Sequence, residues 1–188
     1  MAFQLMVETL KPGHVPSYLA HLKSAASQQH AGRWFAEFGK LNQVYTLFDL
    51  DAVAAPVFPS DHSGYAAAHA GNVFVREVRV LSAVKEYQPS SEKLFELREY
   101  AVFPGQARKL AELMLGVSPV RQRYSANVGI WTPLGGDPDR VLHLWAYRDL
   151  AHRSEARAGV AKEPVWKPYL DAIIPLLREM HSTLLMPA

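Results

Sequence analysis

Cysteine is absent from the 188-residue sequence. Its absence excludes disulfide bonds, thiolate nucleophiles and cysteine-ligated metals, and it fits a reducing compartment. A chain of this length, with 49% hydrophobic residues, is long enough for one medium domain or two small ones, and its core needs no covalent cross-link.

Runs of like charge and long apolar runs are also missing. Lysine and arginine number 20 against 18 acidic residues, and they are scattered, whereas nucleic-acid-binding proteins usually show a basic stripe with aromatics. No window approaches the ~20 apolar residues that span a bilayer. The N-terminus shows neither a secretory signal nor a presequence pattern. We therefore expect a cytoplasmic protein with no nucleic-acid or membrane partner.

Motifs of common catalytic and cofactor sites are absent as well. No G-x-S-x-G nucleophile elbow occurs, and the glycine pair at 135–136 precedes Asp-Pro-Asp rather than the lysine of a phosphate loop. His14/His21 and His62/His69 could each share a helix face, but neither pair has the H-E-x-x-H spacing. We predict no metal and no cofactor.

The most informative feature that is present is a strand pattern that occurs twice. F-E-L-R-E-Y-A-V-F-P-G, Phe95 to Gly105, alternates like a half-buried strand and ends at Pro-Gly. F-Q-L-M-V-E-T-L-K-P-G, Phe3 to Gly13, is a weaker copy. Later in the two copies, Val44, Leu47 and Phe48 match Val141, Leu144 and Trp145. The chain therefore looks like one structural unit present twice.

The first unit, residues 1–88, reads as β-α-β-β-(α)-β. Prolines and a glycine between Asp51 and Gly71 allow at most a short or broken helix there. The other predicted elements are strands over Phe3–Leu10, Arg33–Phe38, Gln43–Leu50 and Val73–Val84, and a helix over His14–His30.

The second unit, residues 89–188, has the same order with clearer patterns. A helix follows Gly105, another covers Leu150–Val160, and a third starts at the Glu163-Pro164 pair, because proline suits the first helical position. The predicted strands are Leu94–Phe103, Asn127–Pro133, Arg140–Tyr147 and His181–Met186.

Two β-α-β-β-α-β units are two ferredoxin-like repeats, which is an α+β fold. Each unit has an antiparallel sheet with helices on one face, so the other face is bare and needs cover. Two such sheets in one chain can cover each other. We predict a closed or nearly closed barrel with the helices outside, a pseudo-dimer within one chain.

The second unit resembles the NIPSNAP family of the dimeric α+β barrel group. The resemblance is carried, in order, by Phe95 to Gly105, by V-L-H-L-W-A-Y-R-D-L-A-H-R (Val141 to Arg153) and by E-P-V-W-K-P-Y-L (Glu163 to Leu170). The first unit looks like a diverged copy in which Thr46 stands where His143 would be. The resemblance implies the barrel and a ligand cavity, but no settled reaction.

Strand alternation divides the side chains of the second unit between two faces. Glu96, Arg98 and Tyr100 share one face of their strand. Phe95 and Leu97 share the other face, which we expect to pack under the helices. The leucines of Arg140–Tyr147 suit the same helix-facing side. The predicted ligand-binding residues facing the space between the sheets are then Glu96, Arg98, Tyr100, Trp131 and Trp145, with His143 as the candidate catalytic residue.

An acid, a guanidinium, a phenol and an imidazole against indole walls suit a small aromatic or anionic molecule. The leading hypothesis is therefore a small-molecule-binding protein, compatible with a homo-oligomer. Relatives in the wider barrel group suggest an alternative, a cofactor-independent monooxygenase or isomerase. In it, His143 transfers a proton while Arg98 and Tyr100 hold an enolate or carboxylate. A third hypothesis is a protein interaction module with a filled barrel, in which these residues are structural.

Overall fold

The computed structural model describes residues 1–24, 30–52 and 71–188. Within these ranges the chain forms eight strands and four helices. The strands are β1 Ala2–Leu10, β2 Gly32–Phe38, β3 Gln43–Asp49, β4 Val73–Lys85, β5 Leu94–Val102, β6 Ala126–Pro133, β7 Arg140–Tyr147 and β8 Leu177–Pro187. The helices are α1 Val15–Ser24, α2 Ala107–Arg121, α3 Leu150–Val160 and α4 Trp166–Ile173.

These bounds confirm the predicted elements of the described ranges, mostly to within one or two residues. The last strand begins earlier than predicted, because a 3-10 turn at Ile174–Leu176 ends the helical region before β8. The predicted helix from His14 is described up to Ser24. Its end at 25–29 lies outside the described residues, as does most of the predicted broken helical segment, with His62 and His69.

All eight strands join in one closed antiparallel barrel with the order β1-β3-β2-β8-β5-β7-β6-β4. The four strands of each half are neighbours, in the orders β4-β1-β3-β2 and β8-β5-β7-β6. The ring closes where β2 pairs with β8 and β4 pairs with β6. Closure removes the unpaired edges of an open sheet. The predicted α+β barrel is confirmed.

Apolar side chains from every strand fill the barrel interior. Pairing in the sheet places alternate residues of each strand inside, and the largest buried cluster contains residues of all eight strands and of no helix. It includes Phe3, Leu5, Val7, Trp34, Tyr45, Leu47, Leu81, Phe95, Leu97, Val128, Trp131, Leu142, Leu144 and Leu185. Only about 20 Å³ remains empty there, roughly the space of one water molecule.

This filling inverts the predicted assignment of the two faces. Phe95 and Leu97 point into the barrel, whereas Tyr100 and Val141 pack outside it against α2 and α4. The prediction that the leucine face packs under the helices was therefore wrong. The physical reason is that a closed interior has little access to water, so it takes the more apolar face, on which Arg79 and Glu99 neutralise each other in an ion pair. The helix-facing side can keep polar groups, because helix side chains supply partners.

Local signals in the second half explain how the helices are set over the sheet. Gly105 adopts a φ of +79° after β5, a conformation that glycine tolerates without strain, and its N–H donates to Asp139 Oδ1 at 2.7 Å. Asp149 caps α3 by accepting from the His152 N–H at 2.8 Å. No helix of the described ranges is both long and apolar enough to cross a membrane.

The barrel interior gives a stability prediction. Leu142 is fully buried among interior side chains, so Leu142→Ala should lower the free energy of unfolding by about 2–5 kcal/mol. Leu134 is 62% exposed, and Leu134→Ala should change it by less than about 0.5 kcal/mol. Urea unfolding of the three proteins measures both. Equal stabilities of the two variants would contradict the interior position.

Candidate functional site

A cavity of about 310 Å³ lies outside the barrel, between the outer face of β5, β7 and β8 and the helices α2, α3 and α4. This volume is at the lower end of the range of small-molecule sites. The exposed lining residues Arg157, Ala161, Ile174 and Met180 mark where the cavity meets solvent. The remaining walls are mostly aromatic and aliphatic.

The structure brings four of the six predicted site residues into this cavity, namely Arg98, Tyr100, His143 and Trp145. Their predicted location between the two sheets was wrong, because their strand faces point outward to the helices. Glu96 shares their face and lies beside the cavity in an ion-pair network.

Trp131 belongs to the barrel interior and not to the site. Its ring packs against Phe3, with centroids 6.1 Å apart, and lies over Gly129, where a Cβ would come within 2.3 Å of the indole. A register shift in β6 between Asn127 and Gly129 interrupts the regular alternation of inward and outward side chains before Trp131. Ile130 lines the cavity in its place.

Strand register places Arg98 and His143 side by side. The two residues are direct partners across β5 and β7. Two residues earlier in β5, Glu96 is the partner of Trp145. Directly opposed residues of an antiparallel pair point to the same face, with Cβ atoms about 4.5–5.5 Å apart. The guanidinium and the imidazole therefore enter the cavity from neighbouring positions.

Glu96 is a fully buried carboxylate that accepts four hydrogen bonds from three side chains and has Arg98 Nε 3.8 Å away. Arg153 of α3 donates to it from two nitrogens at 3.0 and 2.8 Å, the Ser182 hydroxyl at 2.7 Å and the Tyr147 hydroxyl at 3.1 Å. Burial would raise the pKa of Glu96, but the Arg153 hydrogen bonds, the nearby charge of Arg98 and the serine lower it to about 2. The carboxylate is therefore a structural anion at neutral pH, not a free base.

His143 is a buried neutral imidazole with a defined tautomer. Its Nδ1 accepts a hydrogen bond from Trp145 Nε1 at 2.7 Å, and an indole N–H can only donate. The ring proton therefore sits on Nε2, which is buried and has no hydrogen-bond partner among the described residues. Burial, with the positive charges of Arg98 and Arg121, lowers the pKa of His143 well below its ordinary value.

Arginines give the cavity an excess of positive charge. Arg98 lies over the Tyr100 ring at 5.2 Å, and its Nε is buried without a hydrogen-bond partner among the described residues. Arg121 lies 4.2 Å from the Trp145 ring centre and donates to Tyr147 at 3.0 Å. Arg157 lies at the rim. None of the described lining residues is acidic.

The helix residues of the site were not predicted from the sequence. Arg121, Arg157, Trp166 and Tyr169 come from α2, α3 and α4. One signal was present for Arg121. It continues the apolar stripe Leu110, Met114, Val117 of α2 at helical spacing, where a charge on the buried face indicates a function or an ion pair.

The family model named NIPSNAP matches residues 95–188, which is half of the chain and includes β5 to β8. A "Protein NipSnap homolog" from Dictyostelium discoideum is 22% identical over 98% of this chain and 86% of its own length. "Protein NipSnap homolog 3B" from Mus musculus is 31% identical over 52% of this chain, which spans only 41% of that relative.

A solved structure shares the fold along almost the whole chain. It is a "putative monooxygenase" from Lactobacillus acidophilus NCFM, with a TM-score of 0.69 over 98% of this chain and 92% of that chain. The sequence identity is 14%. At this identity the similarity shows the α+β barrel fold alone.

The Glu96 network gives a pH prediction. The pKa of Glu96 is about 2 in the folded protein against an ordinary 4.5, so its contribution to stability is complete above pH 4.5 and is lost as the pH falls toward 2. That contribution is about 3 kcal/mol. In Glu96→Gln the free energy of unfolding should be lower at neutral pH, and this acid-dependent part should disappear.

Urea unfolding at a series of pH values between 2 and 7 measures both effects. Glu112→Gln is the matched control, because Glu112 pairs with Arg108 on the exposed surface of α2. Its pH profile should follow the parent protein. An unchanged acid profile for Glu96→Gln would show that the carboxylate has an ordinary pKa.

Proposed function

The chain belongs to the NIPSNAP family, and from this premise we propose that it binds a small organic anion in the cavity beneath α2, α3 and α4. One observation carries the proposal. Arg98 and His143 line the cavity from directly opposed positions of β5 and β7, and the buried Nε2–H of His143 has no hydrogen-bond partner among the described residues, while Arg98 Nε has only the Glu96 carboxylate 3.8 Å away.

Unpartnered buried donors are unusual in folded proteins, because each costs about 1–3 kcal/mol. In this cavity the cost is explained if a ligand oxygen completes both hydrogen bonds. The Glu96 carboxylate is 3.8 Å from Arg98 Nε, too far for a hydrogen bond, and it already accepts from Arg153, Ser182 and Tyr147. The donors are therefore available to a ligand.

The charge of the cavity favours a negative ligand. Arg98, Arg121 and Arg157 line it, while the neighbouring Glu96 carboxylate is neutralised by Arg153. A buried site with surplus positive charge attracts anions more strongly than the same charges in water would. The aromatic rings of Tyr100, Trp145, Trp166 and Tyr169 suit an aromatic or otherwise flat apolar body.

An enzyme of the cofactor-independent monooxygenase or isomerase type is the second candidate. The same two donors would stabilise an enolate oxygen as well as a carboxylate, and the oxygenase-type name of the Lactobacillus neighbour agrees with this reading. In this version His143 donates a hydrogen bond rather than accepting a proton, because Trp145 occupies its Nδ1.

The interaction-module hypothesis expected a filled barrel, and the interior is filled. We prefer ligand binding because the described residues also form a separate cavity with unpartnered donors outside the barrel. Solid packing between the sheets therefore does not remove the binding site.

We also infer that the chain consists of two diverged ferredoxin-like repeats, residues 1–88 and 89–188. The order fourth-first-third-second of the strands in each half supports this inference. In the first half Thr46 occupies the place of His143, and its hydroxyl accepts from Arg33 at 3.2 Å. The first half therefore lacks the histidine donor of the second.

Binding of 2-naphthoate, compared with its neutral analogue 2-naphthamide, tests the proposed function. Naphthoate should bind more tightly and quench the fluorescence of Trp145 and Trp166, which line the cavity. Arg98→Met should weaken naphthoate binding at least about tenfold, because a hydrogen bond to a charged group contributes about 1.5–3 kcal/mol.

Arg108→Met is the matched control, since the Arg108 side chain is 91% exposed on α2, and its affinity should equal that of the parent. Equal binding of acid and amide, or full affinity in Arg98→Met, would refute an anion site. Native mass spectrometry of the purified protein would identify a retained natural ligand.

A further inference from the structure

We propose that Arg98 and His143 form an oxyanion-binding pair that holds one ring-hydroxyl oxygen of a weak acid, a phenol or an enol, in its ionised form. In this pair His143 is a neutral hydrogen-bond donor and not a base. The inference rests on the proposed function and names the ligand class that the same cavity would take.

The arrangement of the donors favours a single oxygen over a carboxylate. A carboxylate is typically bound by two parallel N–H groups of one guanidinium. Here Arg98, whose Nε lies 3.8 Å from Glu96 without a hydrogen bond, and His143, whose Nε2–H has no hydrogen-bond partner among the described residues, are directly opposed residues of two strands. Two donors from different residues aimed at one developing negative oxygen are the arrangement of an oxyanion hole.

Trp145 fixes the role of the histidine. Its indole N–H donates to His143 Nδ1 at 2.7 Å, so the imidazole proton must remain on Nε2. Accepting a proton at Nε2 would require a hydrogen on Nδ1, which would then face the indole N–H. Trp145 is therefore a positioning residue, and the histidine keeps its donor form while it stays buried.

The surrounding charges favour the ionised ligand. Arg98, Arg121 and Arg157 face the cavity from β5, α2 and α3, and Arg121 is itself 5% exposed. Glu96 is the carboxylate packed against this group, and its charge is compensated by Arg153. Tyr100 and Tyr169 are the other titratable lining groups. On ionisation the ligand O–H bond breaks, the electron pair stays on oxygen, and the proton passes to water.

The acidity of a bound chromogenic phenol tests the inference. 4-Nitrophenol is titrated between pH 5 and 9 with and without saturating protein, and the phenolate is followed by its visible absorbance. Bound to the parent protein, its apparent pKa should fall by about 1–3 units, as expected for an acid beside positive charge. Arg98→Met and His143→Leu should each lose at least about half of this shift.

His143→Gln separates a donor from a base. Glutamine keeps a neutral N–H donor but cannot act as a base at these pH values, so it should retain most of the shift that leucine loses. NMR of ¹⁵N-labelled histidine gives a second measurement. The His143 ring should carry its proton on Nε2 throughout pH 5.5–8.5 in the parent, and Trp145→Phe should release this preference.

The outcomes distinguish the inference from the proposed function. Binding of 2-naphthoate together with an unshifted pKa for bound 4-nitrophenol would overturn the oxyanion pair and leave the anion site intact. Loss of the shift in His143→Gln, or a proton found on Nδ1, would overturn the donor role. If neither compound binds, both the inference and the proposed function are wrong. Arg108→Met should reproduce the parent in every measurement.

Discussion

Packing of apolar side chains inside the closed barrel is the constraint on which the other features depend. One face of every strand contributes to an interior with almost no free space. The opposite face must then lie outside, where helices or solvent meet it. In the second half this places Arg98 and His143 under α2, α3 and α4 rather than between the sheets. The buried Glu96 carboxylate is tolerated there because Arg153 of α3, Ser182 of β8 and Tyr147 of β7 complete its hydrogen bonds.

The ion pair between Glu96 and Arg153 connects the barrel to the site. It joins β5 to α3 and recruits Ser182 of β8 and Tyr147 of β7. These contacts occupy the carboxylate, and Arg98 Nε stays 3.8 Å from it without a hydrogen bond. The same arrangement removes Glu96 as a base. A buried ion pair thus decides which groups of the site stay available for a ligand.

Membership of the NIPSNAP family identifies the fold and the half of the chain that matches, but it names no reaction. The function has to be argued from the site, since one fold can carry many activities. The cavity combines aromatic walls, surplus positive charge and an unpartnered histidine N–H, and the small organic anion that we propose is argued from these features. The two proposed functions, ligand binding and catalysis, would use the same residues and would differ in what happens after the ligand is ionised.

The sequence alone determined the strands, most helix bounds and which residues share a face, because alternation along a strand is a local property. It also identified Arg98, Tyr100, His143 and Trp145 as one group. It could not determine which face turns inward, since alternation fits both choices equally and only barrel closure separates them. It placed Trp131 in the wrong set, because β6 shifts its register. The roles of Arg121 and Arg153, and the donor form of His143 imposed by Trp145, depend on contacts between distant segments. Only the tertiary structure brings those segments together.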